Sequence, residues 1–323
     1  MKVLHVVPVS LDGTRPVFIE HQLNGLLNQG IIGAVVEISG KSIGWNLFEW
    51  FKAKKLIGSK IREFEPDIVH AHWGSLLSLL TVFSLNSQSK FVLTFRGSDL
   101  NRVPGEKFSG WILRKSVSKF SSTRADKVIC VSTQLRDQLK ICDSMIEVIP
   151  DGTDTEVFFP RDKLEARRFL GWKSEEKVVF FYEGNRPGPK GRETVDAVME
   201  ELEKDSSDFR LHVVQMGLSQ NLLSMMLSAS DCMIFASLSE GSPNIVREAI
   251  SCGCPVVTVR VGDVEMWISD STIGKVVNRD PVQLSESVKE VIEKSAKSKA
   301  LTQIPDLAQT ASRINLVYES IVG

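Results

Sequence analysis

The feature that most constrains the fold of this chain is a rhythm of short apolar runs set between longer amphipathic stretches. In the first half the runs are "KVLHVVPV", "GAVVEI", "DIVHAHW", "FVLTF", "KVICVS" and "IEVIP". Runs of this length and make-up fit strands covered on both faces. The stretches between them, such as "RPVFIEHQLNGLLNQG" and "SLLSLLTVFSLN", carry helical spacing. Strand–helix repetition builds a parallel sheet with helices on both sides. The rhythm restarts with "KVVFFYEG", "RLHVVQM", "DCMIFAS", "PVVTVRV" and a weaker "GKVVN". Between the two sets lies "PDGTDTEVFFPRDKLEARRFLGW", which holds two prolines and the turn residues Asp151, Gly152 and Asp154 but no buried-strand pattern. The expected fold class is therefore α/β, with two doubly wound, Rossmann-like parallel-sheet domains over residues 1–152 and 153–304 facing each other across a cleft. In the tail, 305–323, Leu307, Ile314, Val317 and Ile321 fall on one side, so it either completes the second domain or straps back to the first. Ligands of such sheets bind at the carboxyl ends of the strands.

Composition removes several classes of function. The chain's 323 residues fit two domains at roughly 100–200 residues each. A formal net charge of −1 provides no global field for nucleic acid. No uninterrupted apolar run reaches the roughly 18 residues that span a bilayer. "MKVLHVVPV" followed by "SLDGTRP" makes a poor secretory signal. The five cysteines, Cys130, Cys142, Cys232, Cys252 and Cys254, are odd in number and lack C-x-x-C spacing, which argues against a disulfide framework or a structural zinc site. A reduced, cytoplasmic enzyme is the expectation.

Several familiar motifs fail. "SGKS" at 39–42 resembles the end of a phosphate loop, but Val35 stands where its first glycine is needed. G-x-G is absent, and so are D-x-D, H-E-x-x-H and G-x-S-x-G. Without D-x-D the usual carboxylate clamp for a metal–nucleotide pair is missing, so no metal and no cofactor are expected. "CGC" reads as a helix end, with Gly253 past the last turn and Pro255 beyond.

The informative stretch is "SEGSPNIVREAISCGCPVV", Ser239 to Val257, in which Glu240 and Glu248 are separated by seven residues. Pro243 suits the first helical position and Ser242 the cap before it. The amides of Asn244, Ile245 and Val246 then lie in a first turn without intrahelical partners, and with the helix dipole they form an anion site. Ile245, Val246, Ala249 and Ile250 make an apolar stripe, while Asn244, Glu248 and Ser251 share another face. A carboxylate one turn beyond an anion site repels phosphate but accepts hydrogen bonds from a ribose diol. The spacing fits a nucleotide sugar: sugar at Glu240, diphosphate at the helix end, ribose at Glu248. The bland alternative is two solvated glutamates. A second piece, "FYEGNRPGPKG", puts Arg186 and Lys190 in a loop after a strand, where two cations can neutralise a diphosphate without a metal. Taken alone, these are two ordinary loop charges.

These pieces, in this order, resemble the nucleotide-sugar-dependent retaining glycosyltransferases of family 4, which have the two-domain GT-B fold. The resemblance covers nearly the whole chain. It runs through "MKVLHVVPV", "GTRPVFIEHQLNGLLNQG", "PDIVHAHWG", "TFRGSDL", "KVICVSTQLRDQL", "VIPDGTDTEVFFP", "EGNRPGPKGRETVDAV", the E-x7-E segment and "VGDVEMWI". It implies that Arg186 and Lys190 bind the donor's diphosphate. Glu240 would bind the donor sugar beside Gly241, Ser242, Pro243 and Asn244, the amides of Ile245 and Val246 would meet the phosphates, and Glu248 would hold the ribose. Gly13 and Thr14 would close over the diphosphate, and Arg96 and Asp99 would line the cleft from the first domain. His72, at a strand end, is a candidate for acceptor contact with Asp99; packed in the interior is its other reading. Glu240, Lys190, Arg186 and Arg96 are the residues implied at the reacting centre. The chain departs from the pattern twice: Arg96 stands where many members have histidine, and the Arg186–Lys190 spacing is one residue shorter than in many members.

The implied reaction moves a sugar, with retention, from a UDP- or GDP-type nucleoside diphosphate to a hydroxyl of a glycan or lipid-linked acceptor, as in cell-surface polysaccharide biosynthesis. A non-transferring nucleotide-sugar or glycan binder is one alternative, and a GT-B epimerase or hydrolase is another. "KSIGWNLFEWFKAKKLIGSKIR" mixes Trp45, Leu47, Phe48, Trp50 and Phe51 with five lysines and an arginine, and "KFSGWILRKSVSKF" is similar. Either the aromatics pack on the sheet, or these segments lie on the cytoplasmic face of an anionic membrane.

Overall fold

The computed structural model describes residues 1–10, 13–39, 46–184, 187–215, 217–295 and 304–322. The chain divides into two compact units, Met1–Gly152 with Leu307–Gly323, and Thr153–Asp306.

The first unit is a six-stranded parallel sheet of β1 (Lys2–Val9), β2 (Ile32–Ser39), β3 (Ile68–Ala71), β4 (Lys90–Phe95), β5 (Lys127–Cys130) and β6 (Ile146–Val148), in the order β2-β1-β3-β4-β5-β6. Its helices are α1 (Val17–Asn28), α2 (Leu47–Phe64), α3 (Ser75–Val82), α4 (Phe108–Ser122) and α5 (Thr133–Arg136). Alternate strand residues go to opposite faces, and both faces are covered. On one, Leu26 of α1 and Ile314, Val317 and Tyr318 of the C-terminal helix Leu307–Val322 pack on Val3, Ile68, Val92 and Ile129. On the other, Ala53, Ile57 and Ile61 of α2 and Leu77 and Leu80 of α3 pack on Leu4, Val6 and Val69.

Asn46 caps α2 by accepting the Phe48 amide at 3.0 Å. Phe48 and Phe51 are 65% and 71% exposed, so among the described aromatics of this segment the expectation that they pack on the sheet holds for Trp50, which meets the core, and not for these two. The reason is helical geometry: 48 and 51 lie a turn apart on the side opposite Ala53, Ile57 and Ile61. Trp45 falls outside the described residues, as do Lys41 and Ser42 of the "SGKS" segment.

The second unit is a five-stranded parallel sheet of β7 (Lys177–Tyr182), β8 (Phe209–Val214), β9 (Cys232–Phe235), β10 (Val256–Val259) and β11 (Gly274–Val277), in the order β11-β10-β9-β7-β8. Its helices are α6 (Lys163–Leu170), α7 (Pro187–Lys190), α8 (Arg192–Asp205), α9 (Gln220–Ala229), α10 (Asn244–Ser251), α11 (Val264–Trp267) and α12 (Pro281–Ser295). Val195, Val198 and Leu202 of α8 and Leu284 and Val288 of α12 cover one face of the sheet. Leu227 of α9, Ile245, Val246 and Ala249 of α10 and Trp267 of α11 cover the other. From β7 the chain steps outward to β8 and then back past β7 to β9, so strand order reverses between β7 and β9. Their carboxyl ends mark the point where a doubly wound sheet opens a crevice.

Candidate functional site

The loops leaving β7 and β9 lock onto each other at that switch point. Leu238 N–H donates to Pro189 O at 2.8 Å, and Ser237 Oγ lies 3.2 Å from the same oxygen. Gly191 sits at φ +79°, and a Cβ there would lie 2.0 Å from Ala236 O, so the two backbones meet only because this residue has no side chain. Arg279, just after β11, donates to Ala236 O at 2.5 Å and Ser237 O at 2.8 Å, pinning the β9 loop from behind. This arrangement brings Lys190 and Glu240 together: Nζ is 2.7 Å from Oε1, and Ser237 Oγ donates to that oxygen at 2.7 Å. Two residues singled out separately in the sequence thus form one ion pair. Arg186 lies outside the described residues.

The helix tip differs in one respect from the sequence expectation. The helix starts at Asn244, with Pro243 as its cap residue and no side-chain cap; Ser242 does not cap it. The Ser242 hydroxyl is engaged elsewhere, donating to Asp263 Oδ2 at 2.7 Å and accepting from Arg247. Val246 N–H donates to Pro243 O at 3.2 Å, so its amide is not among the open ones. The amides of Asn244 and Ile245 donate to no described residue. The first-turn amides left open at the tip are therefore those of Asn244 and Ile245, whereas the expectation named Ile245 and Val246 for the phosphates. Gly241 packs beneath the tip against Gly262, whose φ is +59° and whose added Cβ would come within 2.9 Å of Gly241 O.

Glu248 lies one turn further along α10. It is half-buried and makes no hydrogen bond or ion pair with a described residue. Burial pushes its carboxyl up to about 7, against the opposing pull of Arg247. Tyr182, at the end of β7, has its hydroxyl pushed up by burial and by the Glu248 charge, which places the two side chains near each other. A half-buried carboxyl without a partner can accept hydrogen bonds that the protein does not supply.

In the first unit, Gly13 and Thr14 lie in an exposed turn after β1, closed by Ser10 N–H to Thr14 O and Gly13 N–H to Ser10 O, each 3.0 Å. The three other predicted residues of this unit are internal. Arg96, 8% exposed, is bound by both Asp151 oxygens at 2.6 and 2.8 Å and by Gln22 Oε1 at 2.7 Å, and it lies 4.4 Å over the Phe18 ring. Asp99 is fully buried and accepts the backbone N–H groups of Gly74, Arg96 and Gly97, which holds the "FRGSD" turn rather than presenting an acid. His72 is fully buried, 2.9 Å from His5 Nδ1 and 3.5 Å from Arg96 Nη2, which is the packed reading and not the acceptor-facing one.

His5, His70 and His72 bring ligand nitrogens within 4.8 Å of one another, the geometry of a potential metal set. The surroundings do not fit one. Both His70 nitrogens are engaged, with Tyr318 Oη at 2.6 Å and Thr94 Oγ1 at 2.7 Å, and a buried guanidinium stands against His72. A divalent ion would face that cation in a medium of low dielectric. Burial instead keeps the imidazoles neutral, lowering His5 to about 3 and the other two well below the usual histidine range.

Sequence reasoning passed over Arg247, Asp263, Gln22, Asp151 and Tyr318. A charged residue amid the apolar stripe of α10, followed by the Gly262–Asp263 turn, was the one available signal for the first two. The other three act through partners far away in the chain.

With this geometry in place, comparison with known proteins is specific. The family described as Glycosyltransferase Family 4 matches residues 6–157, and the one described as Glycosyl transferases group 1 matches residues 173–294. A Bacillus subtilis protein assigned as the teichuronic acid biosynthesis glycosyltransferase TuaC is 26% identical over 240 residues, covering 67% of this chain and 60% of its own. The chain thus spans less than two thirds of that relative. Among solved structures, sucrose-phosphate synthase from Thermosynechococcus elongatus superposes with a TM-score of 0.81 at 15% identity over 99% of both chains. Anabaena HepE in complex with UDP-glucose gives 0.74 at 15% identity, over 99% of this chain and 100% of its own. Two family matches in sequence order and a common fold across the whole chain make this protein a member of the group 1, family 4 glycosyltransferases, with the GT-B fold.

Proposed function

We propose that this chain transfers a hexosyl group from a nucleoside diphosphate sugar to a hydroxyl of a glycan or lipid-linked acceptor, with retention at the anomeric carbon, in cell-surface polysaccharide biosynthesis. The observation that carries the reading is the row in the second unit: the Lys190–Glu240 pair at 2.7 Å, then the open amides of Asn244 and Ile245, then Glu248, which has no partner among the described residues. Cation, anion site and free carboxylate match a leaving diphosphate flanked by a sugar and a ribose. Support for UDP comes from the HepE complex with UDP-glucose, and support for surface polysaccharide from the teichuronic acid relative.

In the reaction, the bond between the anomeric carbon and the diphosphate oxygen breaks and negative charge grows on that phosphate. Lys190 sits where it stabilises that charge, with the helix tip adding its amides. On this reading Glu240, oriented by Lys190 and Ser237, accepts hydroxyl hydrogen bonds of the sugar. The departing phosphate takes the acceptor's proton on the same face, which requires no protein nucleophile. Lysine and amides supply the positive charge, so the reading expects no metal. Activity should survive EDTA, and full loss restored by manganese would overturn that part. The deciding assay follows donor consumption with and without acceptor. Transfer needs both substrates, an epimerase or hydrolase consumes donor alone, and a binding protein consumes nothing.

The same reading sets the first unit against the cytoplasmic face of an anionic membrane. Phe48 and Phe51 are exposed beside Lys52, Lys54 and Lys55 on α2; Phe108 and Ile112 are exposed on α4, which carries Arg114, Lys115 and Lys119 and no acid; and α3 packs against both helices. Such a face gains from both apolar insertion and anionic headgroups. No helix among the described residues is long and apolar enough to cross a membrane. Co-sedimentation with anionic vesicles at low salt, lost in Phe48→Ser/Phe51→Ser, is expected; no sedimentation of the wild-type chain would remove the membrane.

A further inference from the structure

The helix tip assigned to the diphosphate is held from behind by a buried pair of opposite charges. Arg247 of α10 is 0% exposed and Asp263, the cap residue of α11, is 5% exposed. Nη1 lies 4.0 Å from Asp263 Oδ2, and the guanidinium sits 5.2 Å over the Trp267 ring. Nη1 donates to Ser242 Oγ, Nη2 donates to Asn244 Oδ1 at 2.6 Å, and Ser242 Oγ donates to Asp263 Oδ2 at 2.7 Å.

The chemistry of the donors fixes what this arrangement exposes. A guanidinium only donates, so the Asn244 atom that faces it is the carbonyl oxygen and the amide NH2 points the other way. That NH2 donates to no described residue. The Ser242 proton is committed to Asp263, so this hydroxyl does not donate to a ligand. The groups left at the tip are the Asn244 and Ile245 backbone amides and the Asn244 NH2, all donors. With the asparagine flipped, its oxygen would meet the phosphate and repel it. A neutral side chain at 247 would favour neither orientation. We propose that Arg247 and Asp263 are a positioning pair that turns the Asn244 side-chain amide into a phosphate donor, so that the tip grips the diphosphate with a side chain as well as with backbone. The inference rests on the proposed function and adds to it a residue role at the same site.

The test uses the full chain, with UDP, GDP and ADP as diphosphate probes and the matching nucleosides measured by competition. Asn244→Ala should weaken the diphosphate that wild type prefers by roughly tenfold or more, the worth of a hydrogen bond to a charged group. Its nucleoside affinity should be unchanged, while its melting temperature should fall modestly because the buried Arg247 loses an acceptor. Asn244→Asp should be weaker still, and relieved by salt. Arg247→Lys reaches one of the two acceptors and should lose diphosphate affinity selectively, in the direction of Asn244→Ala; if it fails to fold, the asparagine variants decide. Wild-type diphosphate binding in Asn244→Ala, or equal losses for nucleoside and diphosphate, would overturn the inference. A wild-type chain that binds none of the three diphosphates would overturn the functional reading instead.

Discussion

Replacing Glu248 by glutamine separates a ribose contact from an idle glutamate. The carboxyl is pushed up to about 7 by burial and has no hydrogen-bond or ion-pair partner among the described residues. If a ribose diol donates to it, the ionised form binds better, and affinity must rise as pH rises through that value. With the midpoint near 7, the ionised fraction goes from about one tenth at pH 6 to about nine tenths at pH 8, so binding should strengthen up to about tenfold over that span. The ligand must be a nucleoside diphosphate sugar. A free diphosphate has a terminal group that itself titrates near pH 6 and would mask the effect. Calorimetry at pH 6, 7 and 8 should show proton release on binding, largest near and below 7. Glu248→Gln should flatten the pH profile and cost about 1.5–3 kcal/mol at pH 8, where a charged acceptor is replaced by a neutral one. Stability runs in the opposite sense. The folded-state value lies above the ordinary 4.5, so ionisation opposes folding, and this group removes stability as pH rises from about 4.5 to about 7. The full shift sets a ceiling of about 3 kcal/mol, which water at a half-buried carboxyl reduces to about 1–2 kcal/mol. Glutamine should recover that amount above pH 7 in urea unfolding. A binding profile that is flat in the wild type and unchanged in the variant would refute the ribose assignment.

Three further outcomes follow from other contacts. Lys190→Met should leave the fold intact and lower the transfer rate by about 10²- to 10³-fold, as expected when a group stabilising developing charge is removed; single-turnover kinetics read it. Arg96→Met strands Asp151, whose side chain is 14% exposed, and should destabilise by about 3–5 kcal/mol in denaturant unfolding, with much of the loss recovered in Arg96→Met/Asp151→Asn. Gly191→Ala would drive a Cβ to 2.0 Å from Ala236 O at a φ of +79°, so it should cost more than about 2 kcal/mol and separate the Lys190 and Glu240 loops, lowering activity and midpoint together.

The strands were legible because a parallel strand covered on both faces must be apolar at every position, and this writes an uninterrupted run into the sequence. "KVVFFY" and "CMIF" could be read for that reason, and both lie in the core as β7 and β9. The start of α10 was misread by one residue, since a serine before a proline looks like a cap until Asp263 and Arg247 compete for its hydroxyl. Residue types at the site were visible as charged groups after strands, whereas their pairing was not. Lys190 and Glu240 meet because Gly191 and Arg279 fix two backbones, and neither residue signals that role locally. The exposure of Phe48 and Phe51 was undecided for a related reason. An amphipathic helix whose apolar residues exceed one face leaves open which of them the core will take.

Arg96 shows how one departure from a family pattern can reorganise its surroundings. A buried cation needs a counter-charge and acceptors, and the first unit supplies both from distant parts of the chain: Asp151, the Gln22 oxygen and a histidine nitrogen. Since arginine only donates, His72 must accept at Nδ1. Being neutral, it then carries its proton on Nε2, which donates to Nδ1 of His5. The guanidinium therefore sets the tautomers of two imidazoles in succession, while His70 is held apart by Thr94 and the C-terminal helix's Tyr318. With Asp151 balancing its charge and Phe18 covering its plane, Arg96 has little left to offer a sugar. On the proposed reading, the positive charge for the leaving group therefore comes from the second unit, where Lys190 pairs with Glu240 at 2.7 Å.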